Sequence, residues 1–113
     1  MTSSNYNIGD FRNSENQKLE VLARATLRRT EAAQAAALRD STGRTYVARN
    51  IATTSFTADA VEAVFTVARA SQIDSIEAIV LVGLGPINVK PAREYTPDCL
   101  IWAVKEDGEI ESR

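Results

Sequence analysis

The stretch Ala35–Phe56, AAALRDSTGRTYVARNIATTSF, decides the fold. Its small apolar opening, the turn residues Asp40, Ser41, Thr42 and Gly43, and the run Arg44–Asn50 predict a β-hairpin with strands at 33–39 and 44–50. Gly43 is placed to take the positive φ that such turns require. Alanine is poor strand material by propensity. The run Ala35, Ala36 and Ala37 therefore predicts a strand on which helices pack too closely for larger side chains.

Working outward, Ser14 and Gln17 form a capping-box pattern, and Leu19, Leu22, Ala23 and Thr26 recur at helical spacing. Together they predict a helix over about 14–29. A second helix is expected after Ser55 or Thr57 as its cap, with Asp59 in the first turn facing the helix dipole. Val61, Val64, Phe65 and Ala68 would form its buried stripe, and it would end near Ala70 or Ser71. The nearly continuous apolar run IEAIVLVG, 76–83, reads as a central strand covered on both faces. A loop holding every proline follows at 84–98. The strand CLIWAVK (99–105) comes next, and a turn at 106–108 leads to a short terminal strand at 109–112. The order is α-β-β-α-β-β-β. Residues 1–13 are expected to be a disordered N-terminal tail and 14–113 a single domain.

Composition narrows the chemistry. With 113 residues, 44% apolar and 25% charged, the chain has the make-up of one globular domain. No apolar run approaches the ~20 residues of a membrane span, and the polar N-terminus is not a secretory signal. One cysteine, Cys99, excludes an internal disulfide and suggests the cytoplasm. A net charge of −2 argues against nucleic acid as a partner. The densest basic spot, Arg28-Arg29, falls late in a helix, where cations favour the negative end of its dipole. There are no histidines, so Ser-His-Asp and Cys-His catalysis is closed to the chain.

The element order and local residues resemble the cytidine deaminase family. Its members show a similar alanine-rich strand, a turn ending Gly-Arg, a strand, and then Asn-x-Glu-x-Ala-Ser-Tyr. Gly43, Arg44 and Tyr46 sit where that pattern expects them, Asn50 takes the place of the substrate-binding asparagine, and Ser55 and Phe56 fall at the Ser and Tyr positions. LIWAVKEDGEIE, 100–111, is similar to the family's fourth strand and hairpin. The resemblance covers about 15–111. It implies an α/β, three-layer cytidine deaminase-like fold with a mixed sheet of about five strands and two helices, the third helix lost.

The resemblance also implies what the chain lacks. Family deaminases hold zinc with one His or Cys and two further Cys, and a nearby Glu shuttles protons. Aligning Phe65 with the family's aromatic puts Ala58 at the first ligand and Ala60 at the glutamate, with Asp59 between. The other ligands come from Pro-Cys-x-x-Cys opening a third helix, and the loop 84–98 stands in that place. Pro97-Asp98-Cys99 has no second cysteine three residues on, so Cys99 reads as a strand cysteine. Ala52 replaces the substrate-binding glutamate. Asn50, Ala52, Ala58, Asp59 and Ala60 are thus expected to line a degenerate pocket with no catalytic residue, metal or cofactor. As a residue ending a strand, Asn50 also reads simply as a turn former.

Other motifs have plainer readings. Gly83-Leu84-Gly85-Pro86 lacks the third glycine and following helix of a dinucleotide fingerprint and reads as a turn. Trp102 is expected in the core or a subunit contact. Glu106, Asp107, Glu109 and Glu111 read as a solvated hairpin edge that discourages strand pairing.

The first functional expectation is a catalytically inactive deaminase-like protein, not an enzyme, serving as a binding or assembly module. A homo-oligomer, dimer or tetramer, is implied by the family, with Val61, Val64 and Trp102 as core or interface residues. Degenerate relatives encoded beside ribosome-maturation factors imply a ribosome-maturation-related protein partner. The alternative is a nucleoside or nucleotide binder lined by Asn50 and the helix entrance around Thr57–Asp59. A third reading is an active deaminase with noncanonical ligands, either carboxylates alone or Cys99 shared between subunits.

Overall fold

The computed structural model describes residues 14–113, so the expected disordered tail at 1–13 lies outside the described residues. Its elements are α1 (Ser14–Thr30), β1 (Gln34–Asp40), β2 (Thr45–Arg49), β3 (Ile51–Ala52), β4 (Thr57–Ala58), α2 (Ala60–Ala70), β5 (Ile76–Gly83), α3 (Lys90–Tyr95), β6 (Leu100–Val104) and β7 (Ile110–Ser112). Ser14 is already helical, so the cap of α1 also falls outside the described residues.

The main sheet runs β2-β1-β5-β6-β7. The β1–β2, β1–β5 and β6–β7 pairs are antiparallel and β5–β6 is parallel, so the sheet is mixed. Gly43 closes the β1–β2 hairpin at φ +92°, as its position requires. A separate two-stranded ribbon pairs Ile51 with Ala58 and Ala52 with Thr57.

Side-chain alternation along the strands separates two cores. Ala35 and Ala37 of β1, with Ala78, Val80 and Val82 of β5, face Leu19 and Ala23 of α1, where Trp102 is also buried. Ala36 and Leu38, with Ile79 and Leu81, face Val61, Val64 and Ala68 of α2 and Ala92 of α3. All seven residues of β1 are buried, which explains its alanines: helices cover the strand on both sides.

Some sequence expectations need correction. The third helix is present as α3, so there are three helices among the described residues. Pro91 sits in its first turn, where a missing N–H breaks no helical bond. Asp59, neither Ser55 nor Thr57, caps α2. Phe65 is only half-buried, and Ala60 and Ala63 join the buried stripe instead. Val61, Val64 and Trp102 all lie inside the fold as core. The terminal hairpin carboxylates are partly neutralised, because Lys105 Nζ reaches Glu111 at 2.8 Å and Arg113 pairs with the same carboxylate at 3.0 Å.

Candidate functional site

The site forms where β1 begins and α2 starts. The ribbon β3–β4 turns tightly at Thr53–Phe56: the Thr53 N–H donates to the Phe56 carbonyl at 2.9 Å, and the Thr53 hydroxyl accepts from the Phe56 N–H at 3.1 Å. This hairpin sets Ile51 and Ala52 opposite Ala58 and Thr57. Asp59 then caps α2 through a capping box. Its Oδ1 accepts from the Glu62 N–H at 2.9 Å, and Glu62 Oε1 accepts from the Asp59 N–H at 3.0 Å. The loop after β5 closes over this pair. The Asn88 N–H donates to Asp59 Oδ2 at 2.7 Å, and Asn88 Nδ2 donates to Glu62 Oε2 at 3.1 Å.

Together these elements enclose a cleft of about 330 Å³, open to solvent. Asn50, Ala52, Ala58 and Asp59, all singled out in the sequence, line it. Ala60 does not: it is fully buried in the α2 core, and only its N–H points back, to Gln34 Oε1 at 3.0 Å. The other walls include Gln34, Glu62, Thr57 and the Leu84–Pro86 rim. Sequence reasoning takes the rim only as a turn and singles out neither Gln34 nor Glu62. Glu62 was legible as the fourth residue of an Asp-x-x-Glu capping box. Gln34 was marked by being the one polar residue leading an alanine strand. Asn88 makes a local turn, its Oδ1 accepting from the Lys90 N–H at 3.1 Å, but its bonds to Asp59 and Glu62 reach another element and carry no signal in the sequence.

The two carboxyls are pushed apart in acidity. Burial raises the pKa of Asp59, and the neighbouring Glu62 charge adds to this against two backbone N–H bonds. Glu62 is held below its ordinary value, chiefly by the Asp59 N–H and then by the Asn88 side-chain amide. The cleft edge therefore pairs a carboxyl whose pKa is raised with one whose pKa is lowered. Around them stand small apolar walls and the amide of Asn50.

This donor set does not fit a deaminase zinc. Two hydrogen-bonded carboxylates and an asparagine are hard oxygen donors, with no imidazole or thiolate among them. Among the described residues, no three His, Cys, Asp or Glu side chains group closely enough to hold a metal ion. Cys99 is buried just ahead of β6 and does not line the cleft; burial pushes its thiol pKa up, against the nearby Arg93 charge. Among the described residues, no helix is long and apolar enough to cross a membrane.

The Gly-x-Gly turn is tighter than it reads in sequence. Gly83 has φ +101°, and a Cβ there would lie 2.2 Å from the Ala33 carbonyl oxygen. Gly85 has φ +120°, with its Cβ position 3.1 Å from Gln34 Nε2. The backbone approach that glycine allows here shapes the cleft rim.

Comparison with known proteins gives a consistent picture. The family model described as cytidine deaminase-like matches residues 12–108. A crystal structure of cytidine deaminase from Burkholderia pseudomallei superposes with a TM-score of 0.63 at 17% identity, covering 71% of this chain and 72% of that one. Cytidine deaminase from Mycobacterium leprae also gives 0.63, at 15% identity, covering 85% of this chain and 91% of that one. No curated protein matches the sequence. At such identities the superpositions speak to the fold, and they agree with the three-layer mixed-sheet architecture. The expectation that the chain is not an enzyme is corrected by these matches, which point to membership of an enzyme family and carry no sign of inactivity.

Proposed function

The chain belongs to the cytidine deaminase-like family, and from that premise we propose that the cleft between β1, the β3–β4 ribbon and α2 binds a nucleoside. The observation that carries this reading is the convergence of Asn50, Ala52, Ala58 and Asp59 on one cleft of about 330 Å³. That volume is within the range of small-molecule sites. Alanine walls suit the flat faces of a base. The Asn50 amide can donate to a carbonyl or hydroxyl oxygen, and the Asp59–Glu62 edge can accept from an amino or hydroxyl group.

Thermal-shift and calorimetric titration with cytidine, uridine and adenosine tests the proposal. The expected result is saturable stabilisation by at least one nucleoside, abolished in Ala52→Trp, which fills the cleft. No shift with any of the three would overturn it.

A second reading, self-association, is favoured by one feature. Phe56 is 59% exposed. It stands at the edge of a groove of about 310 Å³ between Ala48, Ala63 and Val67. A second copy of the chain offers an aromatic ring of matching size. Light scattering behind size-exclusion chromatography should return a dimer or tetramer that Phe56→Ser dissociates. A monomer at high concentration would remove this reading.

A further inference from the structure

Gln34 opens β1, is only 3% exposed, and precedes three consecutive alanines. A buried carboxamide costs free energy unless its polar atoms are partnered, and here they are. Its Nε2 donates to the Pro86 carbonyl at 3.1 Å, and its Oε1 accepts from the Ala60 N–H at 3.0 Å. Its backbone N–H donates to Asn50 Oδ1 at 3.1 Å, and its carbonyl accepts from the Asn50 N–H at 3.2 Å. One residue thus joins the β3–β4 side of the cleft, the entrance of α2 and the Gly85–Pro86 rim.

Donor and acceptor identities leave a single arrangement. A backbone N–H can only donate and a carbonyl can only accept, so the orientation of the Gln34 carboxamide is fixed by Ala60 and Pro86. By the same rule Asn50 must turn Oδ1 toward Gln34. Its amino group makes no hydrogen bond among the described residues and is left for the cleft it lines.

We infer that Gln34 is the positioning residue of the cleft: its carboxamide locks the α2 entrance to the Gly85–Pro86 rim, and so fixes the backbone that holds Asn50 with its amino group presented to a ligand. This rests on the nucleoside-site reading for its ligand. Its structural content stands apart from that reading.

The test is Gln34→Glu, with cytidine as probe, between about pH 5 and pH 9. Burial favours the neutral acid form. In that form the variant keeps the shape of glutamine, with an O–H to donate to Pro86 and an oxygen to accept from Ala60. Once ionised it has no proton for Pro86 and presents acceptor to acceptor. Cytidine affinity should fall about tenfold toward the alkaline end and return in acid, the scale of one lost hydrogen bond. The wild type carries the same neighbouring charges, Asp59, Glu62 and Arg49, so its profile is the reference. Gln34→Met keeps the length and loses both bonds, and should bind weakly at every pH while giving a folded spectrum. Wild-type affinity in both variants would overturn the inference.

If the wild type does not bind cytidine, the nucleoside reading fails alone, and NMR judges Gln34. Acid-reversible amide shifts in Gln34→Glu confined to Ile51, Ala52, Asp59 and Gly85 support its positioning role. Absent shifts, or shifts spread evenly along β5 and β6, overturn it.

Discussion

Replacing Asp59 by alanine removes two bonds of different kinds at once. Loss of the α2 cap to the Glu62 N–H costs about 1 kcal/mol. Loss of the charged acceptor for the Asn88 N–H, bonded at 2.7 Å, costs about 1.5 kcal/mol, at the low end for charged partners because the bond is solvent-exposed. Relief of repulsion with Glu62 returns a few tenths, leaving a net loss of about 2 kcal/mol. For a domain of this size the urea m-value is about 1 kcal/mol/M, so the midpoint should drop by about 2 M with m unchanged. Asp59→Asn is the discriminating control. It keeps a good cap and turns an amino group toward Asn88, so it should lose only about 1 kcal/mol. An Asp59→Ala variant within about 0.5 kcal/mol of wild type, or Asn and Ala variants that are equally damaging, would refute these bond roles.

Other parts of the structure carry outcomes of their own. Burial pushes Asp40 up, but bonds from the Thr42 hydroxyl and the Arg44 and Thr42 N–H groups, with the Arg44 charge, bring it below 3.8. A carboxyl depressed on folding adds stability that is complete above its unfolded value and lost as pH falls through the folded one. Acid unfolding below pH 3.8 should therefore be shallower in Asp40→Asn, compared by circular dichroism. Gly83→Ala combines positive φ with a 2.2 Å clash against Ala33 and should cost at least about 3 kcal/mol in thermal melts. Gly108→Ala, also at positive φ but with nothing within 4 Å, should cost only about 1 kcal/mol. Trp102, the one tryptophan and 1% exposed, should emit at short wavelength until the protein unfolds, and Trp102→Ala should cost about 3–5 kcal/mol.

The parts of the fold that sequence makes legible are those with periodic or local signals. The alanine strand, the Gly43 turn and the central run at 76–83 were readable, because burial on one or two faces leaves a pattern in the chain itself. The α1 stripe was readable at Leu19, Ala23 and Thr26, but Leu22 is exposed and Asn16 is buried instead. The helix α3 was obscured by Pro91 and by its length of only six residues, too short for a helical period to emerge. The α2 entrance was misread by a few residues because several hydroxyls compete as caps, and the β3–β4 ribbon that settles the matter is itself only two residues per strand. Four of the five expected pocket positions do share one cleft. What escaped was the polar scaffold around them. Glu62 belongs to a local capping box with Asp59, but the bonds of Gln34 to Ala60 and Pro86 and of Asn88 to Asp59 and Glu62 join elements distant in sequence, and such bonds leave no trace in residue spacing.

The bond between Gln34 and Pro86 also sets a timetable for synthesis. A chain emerging from its N-terminus can form α1 and the β1–β2 hairpin early, since their contacts are local. The partner of β1 on its other side, β5, and the carbonyl that Gln34 needs are made much later. Until then the strand carries a buried-type glutamine and one unpaired edge, a state open to wrong pairing. The cleft can thus close only once the chain has reached Pro86, and a ligand of that site rewards only chains that have brought both of its walls into being.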